Sequence, residues 1–217
     1  FEFYSFDEVL KIIEGMFSFI LIDNKEKNIY FARDIGGEKP LYIHFNNLFI
    51  AASSHLNTIK TLPCFTKTIN QIALENYLQY NYIPNPLTIF DNTFKLPPAS
   101  YLKLNLLNLE YIKFKNFDLI KQNKSMTFKY WWSFKKKNSF FSKMNNLEIK
   151  NIINDYLKKS VKSQLISDVP LGAFLSAGID SSLIVSIMQQ FNSNTKTFTI
   201  GYEDINYDES NQANKIA

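Results

Sequence analysis

The sequence contains a single cysteine, Cys64, among its 217 residues. This argues against a disulfide-stapled domain and favours a reducing, cytoplasmic location. Histidine is also scarce, because only His44 and His55 occur. Cys64 follows Pro63 in a predicted loop, and no motif surrounds it. We therefore expect an incidental thiol and not a catalytic nucleophile.

Long apolar runs are also absent. No stretch approaches the roughly 20 apolar residues that a membrane span requires, and residues 15–22 have only the length of a strand. The start shows no signal-peptide pattern, and both ends, Phe1 and Ala217, look cut. The net charge is +4, but the lysines are scattered and their one run, residues 135–137, is short. We expect a solvated basic surface, with no nucleic-acid partner and no membrane partner.

The most informative stretch is residues 174–182, Phe-Leu-Ser-Ala-Gly-Ile-Asp-Ser-Ser. An apolar run at residues 169–175 predicts a strand before it, and the apolar spacing over residues 179–188 predicts a helix after it. Small residues between them let main-chain N–H groups approach an anion at the start of the helix. The serines add hydroxyl donors, and Asp180 adds a carboxylate suited to phosphate-bound magnesium. The alternative is an ordinary strand–turn–helix capped by a serine.

The flanking sequence favours the phosphate-loop interpretation. Residues 146–166 have helical spacing, and a second apolar run, residues 197–202, is followed at residues 207–210 by the start of another helix. Strand, helix, strand and helix at this spacing predict a βαβ unit with a parallel sheet. Ligands of such sheets bind at the carboxyl ends of the strands, where both Ser176 and Gly201 lie.

The residue patterns in the first half of the chain predict antiparallel strands and helices. Ser5 to Glu8 has the form of a capping box before an apolar helical pattern, and residues 69–80 also have helical spacing. The predicted strand pairs are residues 16–22 with 28–33, 41–45 with 48–52, and 99–106 with 110–114.

A charged block, Arg33-Asp34, follows one of these strands. Charges so close to a sheet could belong to a catalytic site. We expect instead that Arg33 and Asp34 pair with their neighbours and organise the loop that carries Gly37 and Pro40.

The alternating pattern dissolves in the middle of the chain, where Lys, Asn, Ser and Thr are mixed with aromatic residues. We interpret residues 119–145 as a connection between a first domain, residues 1–118, and a second, residues 146–217. Trp131 and Trp132 lie in this stretch, and we expect them to pack and not to stack on a ligand.

Several motifs, in order, resemble the glutamine-hydrolysing asparagine synthetases. "SDVPLGAFLSAGIDSS", followed by "FTIGY" and "YDES", is similar to the start of that family's synthetase domain. "GMFSFILID", "FARDIGGEKPLY", "FIAASS", "YLQYNYIPNPLTIF" and "KLPPASYL" are similar to the later part of its glutaminase domain. The implied fold class is the remnant of an α+β glutaminase of the N-terminal-nucleophile type, with antiparallel sheets. The first βαβ unit of an α/β, parallel-sheet ATP-pyrophosphatase domain follows it.

The resemblance implies a ligase that amidates aspartate to asparagine. ATP would activate aspartate as an acyl-adenylate, with release of pyrophosphate, and ammonia freed from glutamine would then displace AMP. Internal passage of ammonia keeps the water-labile adenylate in a dry site. The implied cofactors are ATP and Mg²⁺, and the implied partners are the small molecules ATP, aspartate and glutamine. A homodimer is compatible with this interpretation.

The resemblance also implies which residues bind ATP. They are Leu175, Ser176, Gly178, Asp180, Ser181, Ser182, Ile200 and Gly201. The loop residues would hold the pyrophosphate end, with Asp180 as the magnesium ligand. Leu175 and Ile200 would border the adenine and ribose, with plain core burial as the alternative for both, and Gly201 would leave room for the nucleotide.

One loop position departs from the family, which usually has Ser-Gly-Gly where this chain has Ser176, Ala177 and Gly178. If the middle position needed a positive φ, alanine would cost about 1 kcal/mol. In any other conformation the exchange would be nearly free. We expect Ala177 to be tolerated.

No catalytic residue is assigned to this chain. The family's N-terminal cysteine nucleophile, its glutamine-holding segments, and its later Ser-Gly-Glu-Gly motif and lysine have no counterpart here, so we expect the chain by itself to be inactive. Two alternatives stay open. One is a relative that adenylates another carboxylate, as a β-lactam-type or surface-polysaccharide synthetase would. The other is a non-catalytic nucleotide-binding protein with this fold.

Overall fold

The computed structural model describes residues 4–46, 49–108, 125–134, 144–204 and 206–217. The chain divides into two compact units, Phe1–Lys135 and Lys136–Ala217, and each unit has its own hydrophobic clusters. No helix within the described ranges is long and apolar enough to cross a lipid bilayer.

The first unit is built from antiparallel strands, as the sequence predicts. Its described strands are β1 (Ser18–Asp23), β2 (Asn28–Arg33), β3 (Tyr42–Phe45), β4 (Ile50–Ser53), β5 (Thr93–Lys95), β6 (Ser100–Asn105) and β7 (Met126–Tyr130). Its described helices are α1 (Phe6–Ile12), α2 (Leu56–Lys60) and α3 (Gln71–Tyr80), with a 3-10 turn at Leu106–Asn108. One sheet has the strand order β1-β2-β6-β7, and the other has the order β4-β3-β5.

The two sheets of the first unit share one hydrophobic core. Phe31, Leu102 and Leu104 come from the first sheet, while Ile43 and Phe45 come from the second, and all are buried in one cluster. Alternate residues of a strand point to opposite faces, so each sheet contributes one apolar face to this core. Burial of these side chains is the main stabilising term for the unit.

Helix α1 begins as the sequence predicts. The Ser5 hydroxyl oxygen accepts a hydrogen bond from the Glu8 N–H at 3.4 Å, and the Glu8 carboxylate accepts one from the Ser5 N–H at 2.8 Å. This reciprocal pair is a capping box and satisfies two N–H groups that the helix itself cannot. Phe6 and Leu10 on the helix are buried against Ala32 and Tyr101 of the first sheet.

Two predicted hairpins are confirmed, and the described partners of β6 differ from the predicted one. Strand β1 pairs with β2, and β3 pairs with β4, although residues 47 and 48 of the second hairpin lie outside the described ranges. Strand β6 pairs with β2 along one edge and with β7 along the other. Both edges of β6 are therefore occupied by described strands, and its predicted partner, residues 110–114, lies outside the described ranges. Strand β7 itself falls within residues 119–145, which the sequence predicts to be a connection.

The second unit alternates helices and short strands. Its described elements are α4 (Asn146–Gln164), β8 (Gly172–Phe174), α5 (Ile179–Phe191), β9 (Lys196–Phe198) and α6 (Ser210–Ile216). Strands β8 and β9 are parallel neighbours, with Ala173 opposite Thr197, and α5 lies between them in the chain. Both strands are shorter than the apolar runs that predict them.

Two small apolar clusters hold the second unit together. Val161 of α4 packs with Ile187 and Met188 of α5. In the second cluster, Val185 of α5 packs with Leu175 and Ala213, and Ala173 of β8 contacts both clusters. These clusters fix α5 and α6 around the carboxyl ends of β8 and β9, which is where the predicted loop lies.

Candidate nucleotide-binding site

The strand end that leads into the loop is tied to its neighbour through the main chain. The Leu175 N–H donates a hydrogen bond to the Phe198 carbonyl oxygen at 2.9 Å, and the Thr199 hydroxyl donates to the Leu175 carbonyl oxygen at 2.8 Å. The Leu175 side chain is only 2% exposed and packs in the core. Core burial, the alternative stated for Leu175, is therefore correct for its side chain, although the residue also borders the pocket described below.

The turn at residues 176–178 is organised around one serine hydroxyl. The Ser181 Oγ accepts a hydrogen bond from the Ser176 N–H at 3.2 Å and lies 2.9 Å from the Ser176 Oγ. It also lies 3.2 Å from the carbonyl oxygens of Ser176 and Gly178. Because α5 carries Ser181 on its first turn, the helix and the loop hold each other in place.

The loop already binds a negatively charged oxygen. The Ala177 N–H donates a hydrogen bond to a carboxylate oxygen of Glu209 at 3.2 Å. Lys27, Asn81, Asn92 and Ala99 are the non-glycine residues with a positive φ among those that the structure describes. Ala177 is not one of them, so its Cβ imposes no left-handed strain on the loop.

Helix α5 begins at the loop without a serine cap. Gly178 is the N-cap residue, with an extended backbone and no side-chain cap hydrogen bond. The alternative of a serine-capped turn is therefore wrong. The Ser182 hydroxyl donates instead to the Gly178 carbonyl oxygen at 2.7 Å. Asp180 lies exposed on the first turn, where a negative charge is favoured by the helix dipole.

Asp208 links the chain just after β9 to the start of α6. Its carboxylate accepts hydrogen bonds from the Ser210 hydroxyl at 2.9 Å and from the Tyr202 N–H at 3.4 Å. The hydrogen bonds from Ser210 are the main reason why the pKa of Asp208 lies below its ordinary value. A Cβ at Gly201 would lie 3.6 Å from Asp208, an ordinary contact, so the protein itself does not require glycine there.

An open pocket of about 400 Å³ lies between these two strand ends. Four of the eight predicted ATP-binding residues line it, namely Leu175, Ser176, Ser181 and Ile200. Gly178, Asp180 and Ser182 are on the adjoining helical turn, and Gly201 follows Ile200. Ile200 is 64% exposed, so the core-burial alternative is wrong for this residue.

Sequence reasoning missed several residues of this pocket. Thr199, Tyr202, Tyr207 and Glu209 line it together with the aromatic rings of two strand residues, Phe174 and Phe198. The signal was available in part, because "YDES" follows the second predicted strand and must return near its carboxyl end. Among the described residues, no group of three or more His, Cys, Asp or Glu side chains is arranged to hold a metal ion.

The charged block of the first unit has the structural role that the sequence predicts. Arg33 and Asp34 are 2% and 1% exposed. Arg33 donates hydrogen bonds to the carbonyl oxygens of Lys39, Leu96 and Gly37. Asp34 accepts from the main-chain N–H groups of Glu38, Lys39 and Phe17. Together the two side chains hold the loop that carries Gly37 and Pro40.

Burial and polar contacts shift the pKa of Asp34 in opposite directions, and the same is true of Arg33. Burial alone would raise the pKa of Asp34, but hydrogen bonds from the N–H groups of Glu38, Lys39, Phe17 and Gly37 together more than compensate, and its pKa lies below its ordinary value. Burial lowers the pKa of Arg33, which the charge of Asp34 opposes. These side chains satisfy main-chain groups of a structural loop.

The predicted packing role holds for Trp131. Its ring stacks near Phe17 at a centroid distance of 6.1 Å, and its Nε1–H donates to the Arg33 carbonyl oxygen at 3.1 Å. Trp132 is 42% exposed and meets the ring of Phe134 edge-on at 6.5 Å. Cys64 is exposed and unpaired by any disulfide.

Comparison with known proteins covers both units. Residues 4–115 match the glutamine amidotransferase domain family, and residues 153–217 match the asparagine synthase family. A putative glutamine-hydrolysing asparagine synthetase of Methanocaldococcus jannaschii is 33% identical over 94% of this chain and 36% of that protein. Asparagine synthetase 1 of Bacillus subtilis is 30% identical over 97% of this chain and 30% of that protein.

Asparagine synthetase B of Escherichia coli is more distant, at 26% identity over 85% of this chain and 25% of that protein. The chain thus spans about a third of the length of the first two relatives, which it matches over 36% and 30% of their length. The two family matches fall in the same order as the two groups of motifs in the sequence. The chain therefore belongs to the glutamine-hydrolysing asparagine synthetase family, and it spans a glutamine amidotransferase region and the start of an asparagine synthase region.

Proposed function

We propose that the protein containing this chain makes asparagine from aspartate, ATP and glutamine. ATP would activate the aspartate side-chain carboxylate as an acyl-adenylate, with release of pyrophosphate. Ammonia from the glutaminase half would displace AMP. On this proposal, residues 172–198 are the first βαβ unit of an ATP-pyrophosphatase domain, and residues 1–118 are the later part of the glutaminase domain.

The observation that carries the nucleotide part of the proposal is the hydrogen bond from the Ala177 N–H to the Glu209 carboxylate at 3.2 Å. It shows that this N–H group can donate a hydrogen bond to an anionic oxygen. Ser176 and Ser181 add hydroxyl groups at the same place, and the dipole of α5 favours negative charge at its start. The donors present therefore suit the pyrophosphate end of ATP.

Each predicted site residue has a place in this proposal. The N–H groups and hydroxyls of residues 176–182 would hold phosphate oxygens. Leu175, Ile200 and Gly201 would border the base and the ribose in the pocket of about 400 Å³. Asp180 would be a ligand of Mg²⁺, with phosphate oxygens and water as the others. The ion would supply positive charge against the phosphates.

The reaction is tested by measuring AMP formation by the full-length protein with glutamine and ATP, in the presence and absence of aspartate. We expect AMP and asparagine to appear in equal amounts and only when aspartate is supplied. AMP formation that does not depend on aspartate but depends on another carboxylate would overturn the proposed substrate.

The role of the loop is tested by a matched pair of serine variants. Ser181→Ala removes the hydroxyl at the centre of the loop, whereas Ser186→Ala removes one that only donates to the Leu183 carbonyl oxygen, further along α5. We expect ATP–pyrophosphate exchange to fall roughly tenfold or more in Ser181→Ala, as loss of a hydrogen bond to a charged group predicts. Equal rates in the two variants would contradict this role.

A further inference from the structure

The N–H groups of Ser176, Ala177 and Gly178, in the predicted phosphate loop, each donate a hydrogen bond to an oxygen atom of the protein. The Ser176 N–H donates to the Ser181 Oγ, and the Gly178 N–H donates to the Ser176 Oγ, each at 3.2 Å. The Ala177 N–H donates to the Glu209 carboxylate, also at 3.2 Å. Two of these acceptors are hydroxyls, and the third carries a full negative charge.

The two kinds of acceptor respond differently to a phosphate. A serine hydroxyl can rotate and donate its proton to a phosphate oxygen, so Ser176 and Ser181 can remain in place. An ionised carboxylate has no proton to donate and repels the phosphate charge. Glu209 and a phosphate oxygen therefore cannot share the Ala177 N–H.

The backbone of Glu209 is held close to the loop. Glu209 is the N-cap residue of α6, and α6 is anchored by Ala213, which is buried in the same cluster as Leu175 and Val185. The Glu209 side chain is exposed and borders the pocket. Rotation of the Glu209 side chain alone is enough to make or break its hydrogen bond with the Ala177 N–H, and helix α6 does not have to move.

We propose that Glu209 is an internal competitor for the phosphate loop. Its carboxylate occupies one phosphate position when the nucleotide is absent and is displaced when ATP or pyrophosphate binds. This inference rests on the proposed nucleotide-binding function and assigns a role to a residue that the function itself does not need. The consequence is a lower affinity for polyphosphate anions than the loop alone would give.

The inference is tested by binding of inorganic pyrophosphate and of ATP, each with Mg²⁺, to the full-length protein and to Glu209→Gln. Glutamine keeps the length of the side chain and an acceptor oxygen but removes the charge. We expect Glu209→Gln to bind pyrophosphate about tenfold more tightly, equal to about 1.4 kcal/mol. Glu203→Gln, which removes the same charge from an exposed residue outside the pocket lining, should bind as the unaltered protein does.

Salt gives a second readout that a purely structural role would not change. Charge repulsion at an exposed site is screened by ions, so the difference between the unaltered protein and Glu209→Gln should shrink at high ionic strength. Equal or weaker binding by a folded Glu209→Gln, or a difference that salt does not reduce, would overturn the inference. If neither protein binds ATP or pyrophosphate, the proposed function fails together with it. If the unaltered protein binds and Glu209→Gln binds no tighter, only the inference fails.

Discussion

The Arg33 guanidinium joins strand β2 to the main chain of Leu96, 63 residues later, through a hydrogen bond of 2.6 Å. Two further hydrogen bonds from the same side chain reach the carbonyl oxygens of Lys39 and Gly37. Arg33 is the only arginine in a chain in which lysine supplies every other basic side chain apart from histidine. The Arg33 guanidinium directs N–H groups at three different carbonyl oxygens, and the single ammonium group of lysine cannot reproduce this arrangement.

We therefore expect Arg33→Lys to lower the free energy of unfolding of the first unit by about 2–3 kcal/mol, because buried carbonyl oxygens lose their donors. Urea unfolding followed by tryptophan fluorescence measures this, since Trp131 and Trp132 both belong to the first unit. Lys60→Arg makes the reverse exchange at an exposed position and should leave the unfolding curve unchanged. An equally stable Arg33→Lys would show that the three bonds contribute little.

The loop beneath Arg33 also depends on one glycine. Gly37 has φ +64°, and a Cβ there would lie 2.7 Å from the Pro98 ring and 3.0 Å from the Arg33 guanidinium carbon. Gly37→Ala combines backbone strain with a clash, so we expect it to cost about 2–4 kcal/mol of unfolding free energy.

The neighbouring glycine provides the matched control. A Cβ at Gly36 would lie 3.3 Å from the flexible Glu38 side chain, and Gly36 has no positive φ. Gly36→Ala should therefore change the urea midpoint by less than half as much as Gly37→Ala does. Similar midpoints for the two variants would contradict the special role of Gly37.

The elements that the sequence predicts correctly are those whose cause is local. The capping box of Ser5 and Glu8 joins residues three positions apart, and the hairpin of β1 and β2 is closed by a short turn. The pairing of β6 was not predictable in this way. Residues 110–114, Glu-Tyr-Ile-Lys-Phe, and residues 126–130, Met-Thr-Phe-Lys-Tyr, both alternate in polarity, and nothing local tells which of them pairs with β6.

In the candidate site, too, the sequence predicts local contacts but not contacts between distant residues. Small residues and hydroxyls between a strand and a helix predict the loop, and the structure places Ser176 and Ser181 in contact. The contact of Glu209 with Ala177 spans 32 residues and depends on how α6 packs through Ala213. Sequence spacing carries no information on that packing, so Glu209 was predicted only as part of a helix start.

The pH dependence of the first unit should reflect a buried histidine. His44 is 2% exposed, and its Nδ1 lies 2.9 Å from the Thr93 hydroxyl oxygen. Its Nε2 has no hydrogen-bond partner among the described residues, and aromatic rings of Phe65 and Phe49 lie nearby. Burial lowers the pKa of His44 below its ordinary value of 6.5, because a proton on Nε2 would be an unpaired buried charge.

The unfolded chain therefore takes up this proton at a higher pH than the folded chain. The contribution of His44 to stability is fully present above pH 6.5 and is lost progressively as the pH falls below that value. We expect the urea midpoint to fall as the pH decreases below 6.5, and His44→Phe to flatten this decrease. His55→Gln, at an exposed position, should keep the slope, and an unchanged slope in His44→Phe would assign it to other groups.

The departure from the family's Ser-Gly-Gly pattern at Ala177 should have little effect on nucleotide chemistry. Ala177 has no positive φ, so Ala177→Gly relieves no strain and only adds flexibility, which costs about 1 kcal/mol or less. We expect ATP–pyrophosphate exchange by the full-length protein to change by less than about fivefold. Gly178→Ala is the contrasting variant, because its Cβ would lie 3.2 Å from the Ser176 Oγ and would displace a hydroxyl of the loop. A rise of about 100-fold or more in Ala177→Gly, equal to about 2.7 kcal/mol, would mean that alanine does impair the loop.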